Sequence, residues 1–449
     1  MRTWIKSPLA ILLTPERPCN GLVINNNIIE QVLAAGELPE GSVDEQIDAS
    51  ELVVLPGLVN THHHYYQTLT RAFPPALNKA LFPWLQSLYP VWAGLTPEMI
   101  DTSTRLASAE LLMSGCTTSA DHHYLFPENV PSAMDVQAEA VRDIGIRTTI
   151  TRGSMSLGED QGGLPPRTTI QDTDTILADS QRVIDAYHDS SEGAMLQIAL
   201  APCSPFSVSR ELMMDTAQLA RNNQVRLHTH LAETHDETGF CLKTTGMRPL
   251  AYLEDTGWLA SDTWLAHGIH FDDDEIAKLG QHGVGITHCP SSNMVLGSGI
   301  CRGRELEQAG ANVGLGVDGS ASNDGSNMIQ EVRQALLIQR LRYGSDAISH
   351  YDVFRWATSG SAACLGRGDI GELAPGKLAD LALFKLDDLQ FSGTGDPLAA
   401  LILCGAQRAW HVMVNGNWRV RNGQFLGEDI PELTRRHRAQ ARELTAVWL

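Results

Sequence analysis

The chain has 449 residues, 43% of them hydrophobic and 19% charged, with a formal net charge of −20. That composition excludes a disordered chain, and the acidic balance without any Lys/Arg cluster argues against nucleic acid or an anionic membrane as a partner. No run approaches the ~20 apolar residues of a membrane span. Eight cysteines (Cys19, Cys116, Cys203, Cys241, Cys289, Cys301, Cys364, Cys404) lie scattered, a pattern of reduced, buried thiols rather than a disulfide framework. The apolar run Leu9–Leu13 is too short for a signal-peptide core, so a cytoplasmic location is expected.

Residues 1 to about 55 read as short strands, with Asn25-Asn26-Asn27 as a hairpin turn between Gly21–Ile24 and Ile28–Val32. The same pattern returns near the other end, at Leu378–Phe384, Val412–Val414 and Trp418–Val420, with turns at Asn415-Gly416 and Asn422-Gly423. A small β-sandwich domain built from residues 1–56 and 369–430 is expected, followed by a C-terminal helix over 431–449. Between them, residues 57–368 alternate strand-like and helix-like segments. Helical periodicity marks Pro97–Met113, Ala133–Arg142, Thr173–Tyr187, Arg210–Asn222, Asp273–Gln281 and Asn327–Tyr343. Strand-like runs are Leu52–Leu58 continuing to His64, then Cys116–Asp121, Arg147–Thr151, Leu196–Ala201, Val225–His230, Thr263–His267, Gly283–His288 and Val313–Asp318. Eight such units predict an α/β fold, a (β/α)8 TIM-like barrel.

The chemistry collects at the strand ends. On an extended strand successive side chains alternate faces, so His62 and His64 share one face and His63 takes the other. The second run ends in Asp121-His122-His123, the fifth in His228-Thr229-His230, the sixth in His267, the seventh in His288 and the eighth in Asp318. Strand C-termini form one mouth in a barrel, and imidazoles gathered there suit a transition metal.

These motifs occur together: Pro-Gly-Leu-Val-x-x-His-x-His at 56–64, His-Leu-x-Glu at 230–233, Ala-His-Gly at 266–268, His-Cys-Pro-x-Ser-Asn at 288–293 and Gly-x-Asp-Gly at 316–319. In combination they resemble the amidohydrolase superfamily, in its branch of mononuclear-metal deaminases of nucleobases and triazines. The segment Gly371–Leu381 matches the return of these enzymes to their small domain. His64–Ala72, Leu81–Trp84, Ala201–Phe206 and Asp318–Asn323 resemble the members of that branch that act on 8-oxoguanine.

The resemblance implies that His62, His64, His230 and Asp318 hold one divalent metal, Zn2+ or alternatively Fe2+, which activates a water. It further implies that Asp318 takes the water's proton, that Glu233 carries a proton to the ring nitrogen beside the attacked carbon, and that His267 orients the water and polarises the developing oxyanion. Members with two metals carry a lysine on the fourth strand, and Leu196–Ala201 has none. Gln67, Trp92, His123 and Cys203 are the expected substrate contacts, Gln67 because it matches a position where guanine deaminases hold the purine's amide edge. Cys203 has no His partner at a nucleophile's spacing and reads as a wall residue. His228 lies one layer below His230, a supporting position, and His63 faces away. His288 and Asn293 are placed to shape the mouth.

The expected reaction is hydrolytic deamination of a small-molecule 2-amino-4-oxo nucleobase, with 8-oxoguanine yielding urate and ammonia. Isocytosine or cytosine, guanine and hydroxylated s-triazines are the alternative substrates, and a catalytically silent barrel is the alternative outside enzymes. The resemblance also implies a homo-oligomer. Pro205-Phe206 stands where guanine deaminases carry Arg-Phe, which turns the expectation away from guanine itself. The other zinc deaminase architecture needs a Cys-x-x-Cys that the chain lacks.

Overall fold

The computed structural model of the chain describes residues 1–128, 130–161 and 163–448. Eight parallel strands close into a barrel: Leu58–Asn60, Cys116–His123, Arg147–Ser154, Leu196–Pro202, Arg226–Leu231, Thr263–His267, Gly285–His288 and Asn312–Leu315. They follow one another in chain order around the ring, and Leu315 of the eighth pairs with Asn60 of the first. The expected (β/α)8 barrel is present.

Helices Pro97–Met113, Thr173–Tyr187, Arg210–Asn222 and Asp273–Gln281 have the bounds that periodicity predicts. Each begins where a side chain can take an orphan N–H of the first turn: Thr96 from Met99, Asp172 from Thr175, Ser209 from Leu212 and Asp272 from Glu275. The helix expected over Ala133–Arg142 continues to Ile144, and Asn327 caps Met328–Tyr343 rather than beginning it.

The leading apolar run divides. Leu52–Pro56 pairs antiparallel with Leu381–Lys385 in a six-stranded sheet that joins both ends of the chain, while Leu58–Asn60 enters the barrel. Gly57 is the junction, and a Cβ there would collide with the Thr117 side chain, so only glycine lets the chain pass. Side chains of the shared sheet alternate between two cores. Leu52, Val54, Leu381 and Leu383 meet Ile5, Leu22 and Ile24 in the sandwich, whereas Val53, Leu55, Ala382 and Phe384 belong to the barrel's core. Period-two burial on both faces thereby locks the small domain onto the barrel.

Several helices lie outside the segments expected from periodicity, among them Leu81–Trp92, His235–Thr245, Pro249–Asp255 and Gly303–Ala309. Leu81–Trp92 carries Pro83 in its first turn, where the missing N–H has no partner to lose, and Pro90 near its end. It lies over the mouth. The C-terminal helix spans Ile430–Thr445, and His437 bonds Thr68 through Nε2, tying it to the turn after His64. Leu449, included in the expected helix, lies outside the described residues. Among the described residues no helix is long and apolar enough to cross a membrane.

Candidate active site

The turns after the first and eighth strands and the end of the fifth bring His62, His64, His230 and Asp318 together. Asp318 Oδ1 lies 3.3 Å from Nε2 of both His62 and His64, and Nε2 of His64 lies 3.2 Å from Nε2 of His230. The backbone is unusual at this point. Ala232, His267 and Asp318 take φ of 53°, 73° and 61°, a region costly for side-chain-bearing residues and concentrated at functional sites.

The ring protons can be assigned from the partners. His64 Nδ1 faces the carbonyl of His122 at 2.7 Å and His230 Nδ1 that of Cys203 at 2.6 Å, so both must donate, and both Nε2 atoms carry lone pairs. His228 Nδ1 donates to the Trp264 carbonyl at 2.9 Å, which leaves its Nε2 an acceptor for His62 Nδ1–H at 2.8 Å. His62 Nε2 is then also a lone pair, and it is buried without a hydrogen-bond partner. Burial holds His62, His228 and His230 well below the usual imidazole range, in the neutral form this assignment requires. Three imidazole lone pairs and a carboxylate oxygen facing one another in a dry site repel unless a cation lies among them. The donor set fits a divalent metal of the zinc type. His122 also stands within this group of potential ligands, stacked on His230 at 4.8 Å. Its Nε2 bonds the Ala201 carbonyl, and its Nδ1 has no partner.

A second pair lies beside these donors. Glu233 Oε2 is 3.5 Å from His267 Nε2, which is 4.0 Å from Asp318 Oδ2. Burial pushes the Glu233 carboxyl up against the pull of His267. Burial also opposes a charged His267, but Glu233 and Asp318 outweigh it and raise that imidazole. A carboxyl and an imidazole that both hold protons more firmly than usual are suited to moving one. Asn293 Oδ1 accepts from His267 Nδ1 at 3.0 Å and sets the ring's orientation. Ser292 donates to Asp318 Oδ2 at 2.5 Å, and Ser322 lies 3.3 Å from the same oxygen. Ser298 bonds Glu233 Oε1 at 3.2 Å.

Above this floor is a narrow cavity lined by Gln67, Leu81, Trp84, Leu85, Tyr89, Tyr124, Cys203, Phe206 and Leu296. Gln67 Nε2 is buried there without a hydrogen-bond partner. Burial pushes the Cys203 thiol up to about 12, so it stays protonated and serves as wall rather than nucleophile. Two expected substrate contacts stand behind the lining. Trp92 is fully buried and gives its indole N–H to Thr70, and His123 packs edge-on against Tyr66 and Phe126. The aromatic lining is supplied by Trp84 and Tyr89 of helix Leu81–Trp92, together with Tyr124 and Phe206. His63 bonds Ser326, away from the cavity, and His288 faces Gln339. His228, Ser292 and Asn293 act by holding other side chains. His228 carried a signal for this in its spacing one strand layer below His230.

This architecture is widely shared. A solved structure of zinc-bound atrazine chlorohydrolase TrzN from Arthrobacter aurescens TC1 superposes with a TM-score of 0.92 at 33% identity, covering 98% of this chain and 99% of that one. In sequence the chain is 60% identical to an 8-oxoguanine deaminase of Pseudomonas aeruginosa over 99% of both chains. It is 35% identical to an isoxanthopterin deaminase from an unknown prokaryotic organism, over 92% of this chain and 89% of the other. Residues 53–419, the barrel together with the shared sheet that anchors it, match the amidohydrolase family, and the chain belongs to that family.

Proposed function

We propose that the chain hydrolyses the exocyclic C–N bond of 8-oxoguanine, releasing ammonia and urate. The observation that carries the reading is the convergence of three imidazole Nε2 atoms and Asp318 beside the Glu233–His267 pair. The substrate choice is supported by the 60% identity to the Pseudomonas aeruginosa enzyme. His62, His64, His230 and Asp318 would hold one divalent metal, with zinc favoured by the nitrogen-rich donor set and by the zinc-bound TrzN structure. When bound, the metal supplies Lewis acidity that makes water a nucleophile near neutral pH.

The chain's own groups divide the remaining work. Asp318 takes one proton from the attacking water, its Oδ2 kept in place by Ser292. Glu233 delivers a proton to the ring nitrogen beside the attacked carbon, which makes that carbon electrophilic. His267, oriented by Asn293 between Glu233 and Asp318, stabilises the oxyanion as it forms. As the carbonyl forms, Asp318 passes its proton to the amino nitrogen, which leaves as ammonia, and the second water proton returns to Glu233 in place of the one now on the ring nitrogen. Gln67, with a free amide N–H, faces the oxo edge of the ring.

The test is ammonia release by zinc-loaded protein on 8-oxoguanine, isocytosine, cytosine, guanine and hydroxylated triazines. Turnover of 8-oxoguanine at the highest kcat/KM is expected. Preference for a triazine or for cytosine would overturn the substrate assignment.

A further inference from the structure

Resting on the deaminase reading above, we infer that the Tyr89 hydroxyl is the group that recognises the oxo oxygen on the five-membered ring of the substrate. The reacting end of the cavity is polar and occupied, with Glu233, His267 and Asp318 each engaged with a neighbour. Gln67 offers an unpartnered amide N–H to the oxo edge of the six-membered ring. A single-ring substrate needs nothing more. Most of the remaining wall is apolar: Leu81, Trp84, Leu85, Phe206 and Leu296.

A fused second ring bearing an oxo group would place a strong acceptor against that wall. Left unpaired, it would lose its bonds to water at a cost of several-fold to many-fold in binding. Tyr89 is the phenol placed to answer it. It lines the cavity, is 1% exposed, and its hydroxyl is buried with no hydrogen-bond partner. The Cys203 thiol lies beside it, a weak acceptor that a ligand oxygen would displace. The other cavity phenol, Tyr124, stands at the reacting end, its ring 5.1 Å from that of His64. The ring of Tyr89 meets Trp92 edge-on at 5.9 Å, which fixes where the hydroxyl points. Burial pushes the Tyr89 phenol well above its usual pKa range, so it keeps its proton and remains a donor.

The experiment is Tyr89→Phe in the zinc-loaded enzyme, assayed on 8-oxoguanine and on isocytosine, which has the 2-amino-4-oxo edge and no second ring. The expected result is a loss of about tenfold or more in kcat/KM for 8-oxoguanine with isocytosine turnover within about twofold of wild type. As a measurement independent of turnover, inhibition by urate should weaken in the variant while inhibition by xanthine, which lacks the second-ring oxo, stays unchanged. An equal fall for both substrates, or no fall for 8-oxoguanine, overturns the inference while wild-type activity leaves the deaminase reading standing. A wild-type enzyme silent on 8-oxoguanine overturns both.

Discussion

His62 gives its Nδ1 proton to Nε2 of His228 across 2.8 Å, and His228 in turn gives its own to the carbonyl of Trp264. One backbone oxygen thus dictates, through two rings, that the Nε2 of His62 is a lone pair directed at Asp318. His228→Leu removes the acceptor and frees His62 to turn or change tautomer. Zinc affinity should fall about 10–100-fold, measured by competition with a chromogenic chelator. An unchanged affinity would mean that packing alone orients His62.

His230 lies at the end of the fifth strand and Glu233 three residues beyond it, and their duties are separable. Glu233→Gln should retain stoichiometric metal and lose roughly 10²–10⁴ in kcat, since only the proton transfer is removed. His230→Ala should lose metal as well, and the two variants are told apart by elemental analysis of the purified proteins. Full activity in Glu233→Gln would assign the proton shuttle elsewhere.

A Cβ on Gly319 would run into the amide of Gln67. Gln67 is 1% exposed, so its side chain has little room to yield. Gly319→Ala should therefore raise KM for the nucleobase with metal content unchanged. Loss of metal in that variant would show that the Asp318 turn, rather than Gln67, had moved.

Glu331 sits behind the site, accepting from the Ser291 backbone and from Asn323, and burial pushes its carboxyl up to about 7. Its ordinary value is about 4.3. Because the folded value is the higher one, the folded state binds more protons in this interval and stability from this group is full below about pH 4.3. It is lost progressively up to about pH 7, by on the order of 3 kcal/mol. Glu331→Gln does not titrate, so its melting temperature relative to wild type should improve as pH rises from about 4.5 to 7.5. A constant difference across that range would show that Glu331 ionises normally.

Helix bounds such as Pro97–Met113 and Thr173–Tyr187 were legible because amphipathic period and capping side chains are local properties. The strand-end histidines were legible for a related reason: alternation along extended backbone puts His62 and His64 on one face whatever the rest of the chain does. Leu81–Trp92 was not, since Pro83 is tolerated only by its place in the first turn and Pro90, inside the helix, removes a backbone donor. Trp92 was expected at the cavity for want of that helix, whose Trp84 and Tyr89 line it instead.

The residues by themselves determined which side chains carry chemistry and which repeating unit holds them. Tertiary structure alone decided three things. Closure of the ring through Leu315 and Asn60 brought positions 62 and 318 within 3.3 Å, the split at Gly57 divided one apolar run between two cores, and the Trp264 carbonyl set the proton on His62. Each joins groups far apart in sequence, and no local pattern records a contact whose partner is chosen by how the whole barrel closes.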